Sequence, residues 1–277
     1  MIRLIALDID GTLVGEDSQV SWLDQAALSA ARDKGCAIAL ISGRSKGTVL
    51  PIVEQFDKGV IAAIGSYDGA LVEMLDPPEV VVIRRLEADA ALRSFDALVD
   101  AGMGPEIFPG GEDDPVIEWD EAGPPEEWRL FNLWRLEAVD RAELERVLTS
   151  GPITISAMGS LEQATAGIDA VRAACGDSVS ASLTFSPRYG GYFAQVASPE
   201  STKTHALDAL VERLGIDDSQ VLAVGDWLND IGMLRKAGVG VAMGGCVDEV
   251  QEAADWVTGA IGTSAVARAV KRYVLDA

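Results

Sequence analysis

Ile2-Arg3-Leu4-Ile5-Ala6-Leu7-Asp8-Ile9-Asp10-Gly11-Thr12-Leu13 is the stretch on which the fold turns. From Ile2 to Ile9 it is apolar except at Arg3 and Asp8. So short and continuous a hydrophobic run reads as a strand covered on both faces, the situation of a parallel sheet. A helical pattern follows from Ser21 to Lys34, stopped by Gly35, and a second apolar run covers Cys36 to Ile41. A short helix over Lys46 to Phe56, containing Pro51, leads to a third run, Val60 to Ile64. Strand and helix in this alternation specify an α/β protein with an open, parallel, Rossmann-like sheet.

The same alternation returns late in the chain. A helix over Thr202 to Leu214 with Ser201 as N-cap, a strand at Val221 to Val224 and a helix at Ile231 to Lys236 are expected. A strand at Val239 to Met243 and helices at Asp248 to Asp255 and Ser264 to Tyr273 complete it. The middle differs. It reads as strands at Val80 to Arg84, Pro115 to Trp119, Arg129 to Leu136 and Ile153 to Met158, with helices at Ala88 to Ala101, Asp140 to Thr149 and Leu161 to Ala174, closed by a hairpin through Ser180 to Ala197. Over a hundred residues with their own elements are too many for a loop. The expected organisation is a core made of 1–80 and 191–277 and an inserted α+β domain at 81–190.

Charge and cysteine content exclude several functions. Forty-four Asp and Glu against 22 Lys and Arg leave a net charge of −22, which repels nucleic acid and anionic membrane surfaces alike. Cys36, Cys175 and Cys246 form neither a disulfide framework nor a zinc knuckle, and the single histidine, His205, rules out any site needing two. No run has the length of a membrane span or a signal sequence, so a cytoplasmic protein is expected.

The acids at strand ends carry the chemistry. Asp8 and Asp10 are two apart at the end of the first strand and can share one face, with Gly11 allowing the turn beyond. Carboxyl ends of strands are where open α/β sheets bind ligands, and two acids there call for a cation. Gly225-Asp226-Trp227-Leu228-Asn229-Asp230 is a second acidic strand end. Ser42-Gly43 after the second strand offers a hydroxyl and an amide at the start of a presumed helix, a phosphate seat. Lys203, in the first turn of its helix, opposes the helix dipole unless it meets an anion. Four acids, a hydroxyl, a lysine and amides suit a phosphate and a hard ion such as Mg²⁺.

These segments in this order, DIDGTL at 8–13, ISGR at 41–44, a long insertion, TK at 202–203 and GDWLND at 225–230, resemble the haloacid dehalogenase-like (HAD) phosphohydrolases, in the Cof-like branch with a type IIB cap. The fold so implied is a HAD core sheet with the insertion as a cap that closes over the site. The activity implied is Mg²⁺-dependent hydrolysis of a small phosphorylated metabolite through an aspartyl phosphate. By this resemblance Asp8 is the nucleophile and Asp10 the general acid and base. Mg²⁺ is held by Asp8, the Asp10 carbonyl and Asp226, with Asp230 in support, while Ser42, Gly43, Lys203 and Asn229 bind the phosphate. His205 has no required role, and the segment Ser66 to Ala70, expected where core and cap meet, is assigned no catalytic one.

The chain departs from its relatives at Trp227, where a small residue is common, and at Gly245, where Asn is common; both bear on substrate choice. Candidate substrate contacts in the insertion are Arg129, Asn132, Arg135 and Arg188, with Trp119, Trp128 and Trp134 as packing residues. A sugar phosphate is the first substrate class, followed by cofactors such as pyridoxal phosphate or flavin mononucleotide. A phosphomutase, a sucrose-phosphate or mannosyl-phosphoglycerate phosphatase, and a non-catalytic binding protein are the rival readings. Monomer and dimer are equally open.

Overall fold

The computed structural model describes residues 1–110, 116–119, 136–186 and 190–276. The chain divides into two compact units, Met1–Ile83 with Thr202–Ala277, and Arg84–Ser201. In chain order the first unit begins with β1 (Leu4–Leu7), α1 (Trp22–Asp33), β2 (Ala37–Ile41), α2 (Lys46–Val53), β3 (Ala63–Ser66), β4 (Leu71–Leu75) and β5 (Pro78–Ile83). The second unit contains α3 (Ala88–Asp100), β6 (Pro105–Phe108), β7 (Val116–Trp119), β8 (Leu136–Val139), α4 (Arg141–Thr149), β9 (Thr154–Gly159), α5 (Leu161–Cys175), β10 (Ser180–Ser186) and β11 (Gly191–Ala197). The first unit then resumes with α6 (Lys203–Leu214), β12 (Val221–Gly225), α7 (Ile231–Lys236), β13 (Val239–Ala242), α8 (Asp248–Glu252), β14 (Trp256–Val257) and α9 (Ala265–Val270).

The first unit is built on one eight-stranded sheet in the order β14-β13-β12-β1-β2-β3-β4-β5. Its pairs are parallel from β14 to β3 and antiparallel through β4 and β5. β1 lies in the middle, with Leu4 opposite Ala37 on one side and Val221 on the other. Its side chains alternate between two cores. Ile5 and Leu7 pack with Leu28, Val49 and Val266, on the face of α1, α2 and α9. Leu4 and Ala6 pack with Leu207, Leu210 and Met233, on the face of α6 and α7. Every residue of β1 is therefore buried, which is why the run reads as continuously apolar. Continuing the alternation one step past Ala6 directs Asp8 to the α6 face.

The topology locates the site. From β1 the chain moves through β2 to β3, whereas the returning chain adds β12, β13 and β14 on the opposite side of β1. The boundary between β1 and β12 is where strand order reverses, the position at which such sheets bind ligands beyond their carboxyl ends. Asp8 follows β1 there and Asp226 follows β12.

The second unit has a six-stranded sheet in the order β10-β11-β9-β6-β7-β8, antiparallel except between β7 and β8. Its core joins Phe95 and Leu98 of α3, Leu144 of α4 and Ile168 and Val171 of α5 to Ile107, Ile155, Ala194 and Val196 of the sheet. Trp119 packs against this core, tilted on Phe95, with the Arg141 guanidinium 5.5 Å from its ring centre. Arg129, Asn132, Arg135, Arg188, Trp128 and Trp134 lie outside the described residues.

Some elements differ from expectation for identifiable reasons. The strand expected at 80–84 as the first of the insertion is β5, the edge of the first sheet, because β4 precedes it and pairs with it. β4 is interrupted by Glu73, so Leu71–Leu75 does not read as a continuous buried run. Thr202, not Ser201, caps α6, its hydroxyl accepting from the His205 amide. Ser42 and Gly43 sit in the loop before α2, which begins only at Lys46, so neither lies in a helical first turn. Among the described residues no helix is long and apolar enough to cross a membrane.

Candidate active site

Asp8 is almost completely buried, and its Oδ1 accepts from Lys203 Nζ at 2.5 Å. The same ammonium donates to Asp230 Oδ1 at 2.6 Å. Lys203 is the first residue of α6, whose Thr202 cap turns the helix start toward the end of β1. Burial alone would drive this lysine toward its neutral form, but Asp230, Asp8 and Asp68 outweigh it and hold the ammonium above its ordinary pKa. The ammonium form is therefore favoured, at a helix terminus that on its own would oppose it.

Asp230 is a structural clamp. Its Oδ2 accepts the backbone amides of Asp226 at 3.0 Å and Trp227 at 2.9 Å, folding the loop after β12 back on itself. With Oδ1 on Lys203, both its oxygens are engaged. Asp226 is fixed from the other direction, since Thr12 Oγ1 donates to its Oδ1 at 2.8 Å. Gly11, with φ +83°, lies directly beneath that carboxylate, and a β-carbon there would overlap it. The Asp-Gly-Thr sequence after β1 thus shapes the seat of an acid more than two hundred residues away.

Asp8, Asp226 and Asp230 each bring a carboxylate oxygen within 4.8 Å of the others. Burial raises the Asp8 carboxyl well above the usual range, Lys203 opposes that rise, and Asp230 and Asp226 add to it. Burial raises Asp226 as well, against the hydrogen bond from Thr12. One ammonium faces an excess of carboxylates, all with hard oxygen donors, and a divalent cation would offset that charge. The residues fit a metal ion. Asp8 and Asp226 are the carboxylates with donor capacity to hold it, because Asp230 is already committed.

The remaining expected residues are distributed around this cluster. Asp10 is not part of it: its half-exposed carboxylate takes two hydrogen bonds from Arg44, at 2.8 and 2.6 Å. Ser42 is buried, its Oγ accepting from the Arg44 amide at 3.2 Å and its carbonyl from the Asp68 amide at 2.9 Å. Gly43 faces the Asp68 carboxylate, and Asn229 Nδ2 donates to Asp68 Oδ1 at 2.9 Å. His205 Nδ1 pairs with Thr202 Oγ1 at 2.8 Å, in the helix cap.

The segment Ser66 to Ala70, to which no catalytic role was assigned, brings Asp68 beside the site as the partner of Asn229. Tyr67 and Asp68 both adopt left-handed φ values, 52° and 53°, followed by Gly69 at 96°. Asp tolerates that region, Tyr does not, and such strain collects where geometry matters for function. A β-carbon at Gly69 would stand 2.7 Å from Ala206 Cβ and from the Thr202 carbonyl, so close packing on α6 requires glycine. Thr12 and Arg44 were the other residues overlooked. Both stood inside recognised motifs, but nothing in their spacing indicated a partner.

Residues 5–270 match the family model for haloacid dehalogenase-like hydrolases. The 5-amino-6-(5-phospho-D-ribitylamino)uracil phosphatase YcsE of Bacillus subtilis is 27% identical, the match covering 99% of this chain and 96% of that one. The pyridoxal phosphate phosphatase YbhA of Escherichia coli is 26% identical, with 99% of each chain covered. The solved structure of BT4131, described as a HAD subclass IIB sugar phosphatase, superposes with a TM-score of 0.79 over 98% of both chains, at 23% identity. The chain belongs to the haloacid dehalogenase-like hydrolases and, within them, to the Cof-like phosphatases.

Proposed function

We propose that this phosphatase is a Mg²⁺-dependent phosphomonoesterase that hydrolyses a small phosphorylated metabolite, with a sugar or polyol phosphate as first choice, through an aspartyl phosphate on Asp8. The observation that carries the reading is the Asp8 carboxylate, buried at a strand end and held 2.5 Å from Lys203. A buried acid beside a fixed cation is oriented for attack and relieved of part of its repulsion for an anionic ester.

Asp8 attacks phosphorus while Asp10 gives its proton to the departing oxygen. Asp10 then takes a proton from the water that cleaves the acyl phosphate. Lys203, the Ser42 hydroxyl and the Gly43 amide hold the phosphoryl oxygens, and Asn229 is kept in place by Asp68. Asp8 and Asp226 would hold the metal, with the Asp10 carbonyl and with Asp230 fixing the loop behind them. Bound Mg²⁺ would screen the negative charge shared by nucleophile and ester.

Support for a sugar or polyol leaving group comes from relatives: BT4131 is described as a sugar phosphatase, and the YcsE substrate carries its phosphate on a ribityl chain. Free thiols at Cys36, Cys175 and Cys246 suit a reducing cytoplasm. The test is phosphate release from a panel of sugar, polyol and cofactor phosphates with Mg²⁺, followed by acid quench with ³²P-labelled substrate. An acid-stable label on the wild type, absent from Asp8→Asn, is expected. Turnover by Asp8→Asn would refute the nucleophile, and phosphate transfer to a second sugar position in place of release would favour a mutase.

A further inference from the structure

Asp10 poses a problem that the motif leaves open. Unlike Asp8, its carboxylate is 58% exposed, so burial does not fix its orientation. A group that must deliver a proton to one oxygen and later collect one from water needs a defined plane. The structure supplies that plane from Arg44.

We infer that Arg44 is a positioning residue for Asp10, holding its carboxylate in a two-point grip that aims the acid at the leaving-group oxygen. Arg44 Nε donates to Asp10 Oδ2 at 2.8 Å and Nη2 donates to Oδ1 at 2.6 Å. This is the parallel fork that only a guanidinium makes, and its worth lies in orientation. As an exposed ion pair it adds little to stability. Each carboxylate oxygen keeps a second lone pair outside the fork, so the grip fixes the plane and leaves an edge for proton exchange.

The guanidinium is itself held. Nη1 donates to the Thr48 carbonyl and Nη2 to Ser18 Oγ, both at 3.4 Å. The Arg44 amide is tied to Ser42 Oγ, and its carbonyl accepts from the Tyr67 amide at 2.9 Å. On the other side, the Asp10 backbone bridges to Val14, with the Gly11 amide donating to the Val14 carbonyl. The two side chains meet from separately braced segments, the end of β1 and the loop after β2. The same loop therefore seats the phosphate through Ser42 and Gly43 and aims the acid through Arg44.

The inference rests on the acid–base reading of Asp10. In the first step the Asp8 oxygen bonds to phosphorus as the bond to the ester oxygen breaks, and the Asp10 proton passes to that oxygen. In the second, water bonds to phosphorus, its proton passes to the Asp10 carboxylate, and the bond to the Asp8 oxygen breaks. An alkoxide needs that proton to leave, whereas p-nitrophenolate leaves without it, so a misaimed acid is exposed by leaving-group dependence.

The experiment measures kcat/KM for p-nitrophenyl phosphate, phenyl phosphate and an alkyl phosphate such as a hexose 6-phosphate. The enzymes are wild type, D10N, R44A, R44K and the D10N/R44A double variant, with folding checked by circular dichroism. For R44A a loss of about 10- to 100-fold on the alkyl ester is expected, against about 3-fold or less on p-nitrophenyl phosphate. R44K should keep most of that deficit, because an ammonium cannot form the fork, and the double variant should be no slower than D10N. A loss in R44A uniform across leaving groups, full rescue by lysine, or multiplying effects in the double variant would overturn the inference while leaving Asp10 as the acid. A D10N variant indifferent to the leaving group would overturn the acid–base reading and this inference together.

Discussion

Lys203 Nζ and Asp8 Oδ1 lie 2.5 Å apart across 195 residues of sequence, both almost completely buried. The pairing fixes Asp8 against the first turn of α6, and the two partners respond differently to removal. Asp8→Asn deletes an acid whose ionisation burial already opposes, so the fold should keep its stability or gain a little. Turnover should drop by about four orders of magnitude or more, as for the loss of a nucleophile elsewhere. Lys203→Met instead leaves Asp8 and Asp230 facing each other without a cation, at a cost of about 3–5 kcal/mol. Urea midpoints of the two variants should move in different directions from the wild type, or Asn should leave its midpoint unmoved.

Chelation should silence the enzyme. Excess EDTA is expected to abolish phosphate release, and added Mg²⁺ to restore it. Mg²⁺ should also raise the melting temperature of the wild type, since a ligand bound to the folded state stabilises it. Asp226→Asn should lose both effects. Full activity in EDTA would remove the metal from the proposed chemistry.

Gly11→Ala adds a single methyl group in the worst available place. The residue would have to keep a left-handed φ, costing about 1–2 kcal/mol, and its β-carbon would displace the Asp226 carboxylate. The expected signature is an increased Mg²⁺ requirement: half-saturation moves up by about tenfold or more, with activity partly recovered at high metal. An unchanged metal titration would show that Asp226 tolerates displacement.

Asp230→Ala strips an acceptor from the amides of Asp226 and Trp227 together. Two part-buried amides lose a charged partner, worth up to about 1.5–3 kcal/mol each in comparable cases. The variant should unfold at clearly lower denaturant and lose activity. Asp230→Asn, which can still accept with its amide oxygen, should keep more of the stability than of the turnover.

The central sheet was legible because burial on both faces leaves a mark that short-range reading detects: Leu4 to Leu7 are apolar without interruption. Asp8, Asp226 and Asp230 were legible as a group because acids at the ends of buried strands are costly without a purpose. What escaped was pairing. Arg44 and Asp10 are 34 residues apart, and Asn229 and Asp68 are 161 apart. Nothing local in either segment encodes the other. β4 escaped for a related reason, since Glu73 is stabilised by Lys46, a partner invisible from within the strand. The helix α2 starts at Lys46 as expected, but Ser42 and Gly43 fall in the loop before it, which is held by bonds to β3 and to Asp68, again distant in sequence.

The placement of β1 between β2 and β12 also has a temporal side. Chain order places Asp8 and one neighbouring strand, β2, ahead of the intervening unit, yet the opposite flank is supplied only after that whole unit has been translated. Until then Asp8 has neither its lysine nor its companion acid, and the central strand presents a bare edge to whatever chaperone or neighbour it meets. By this order the cluster of Asp8, Lys203, Asp226 and Asp230 can assemble only once the segment from α6 through β12 has been made.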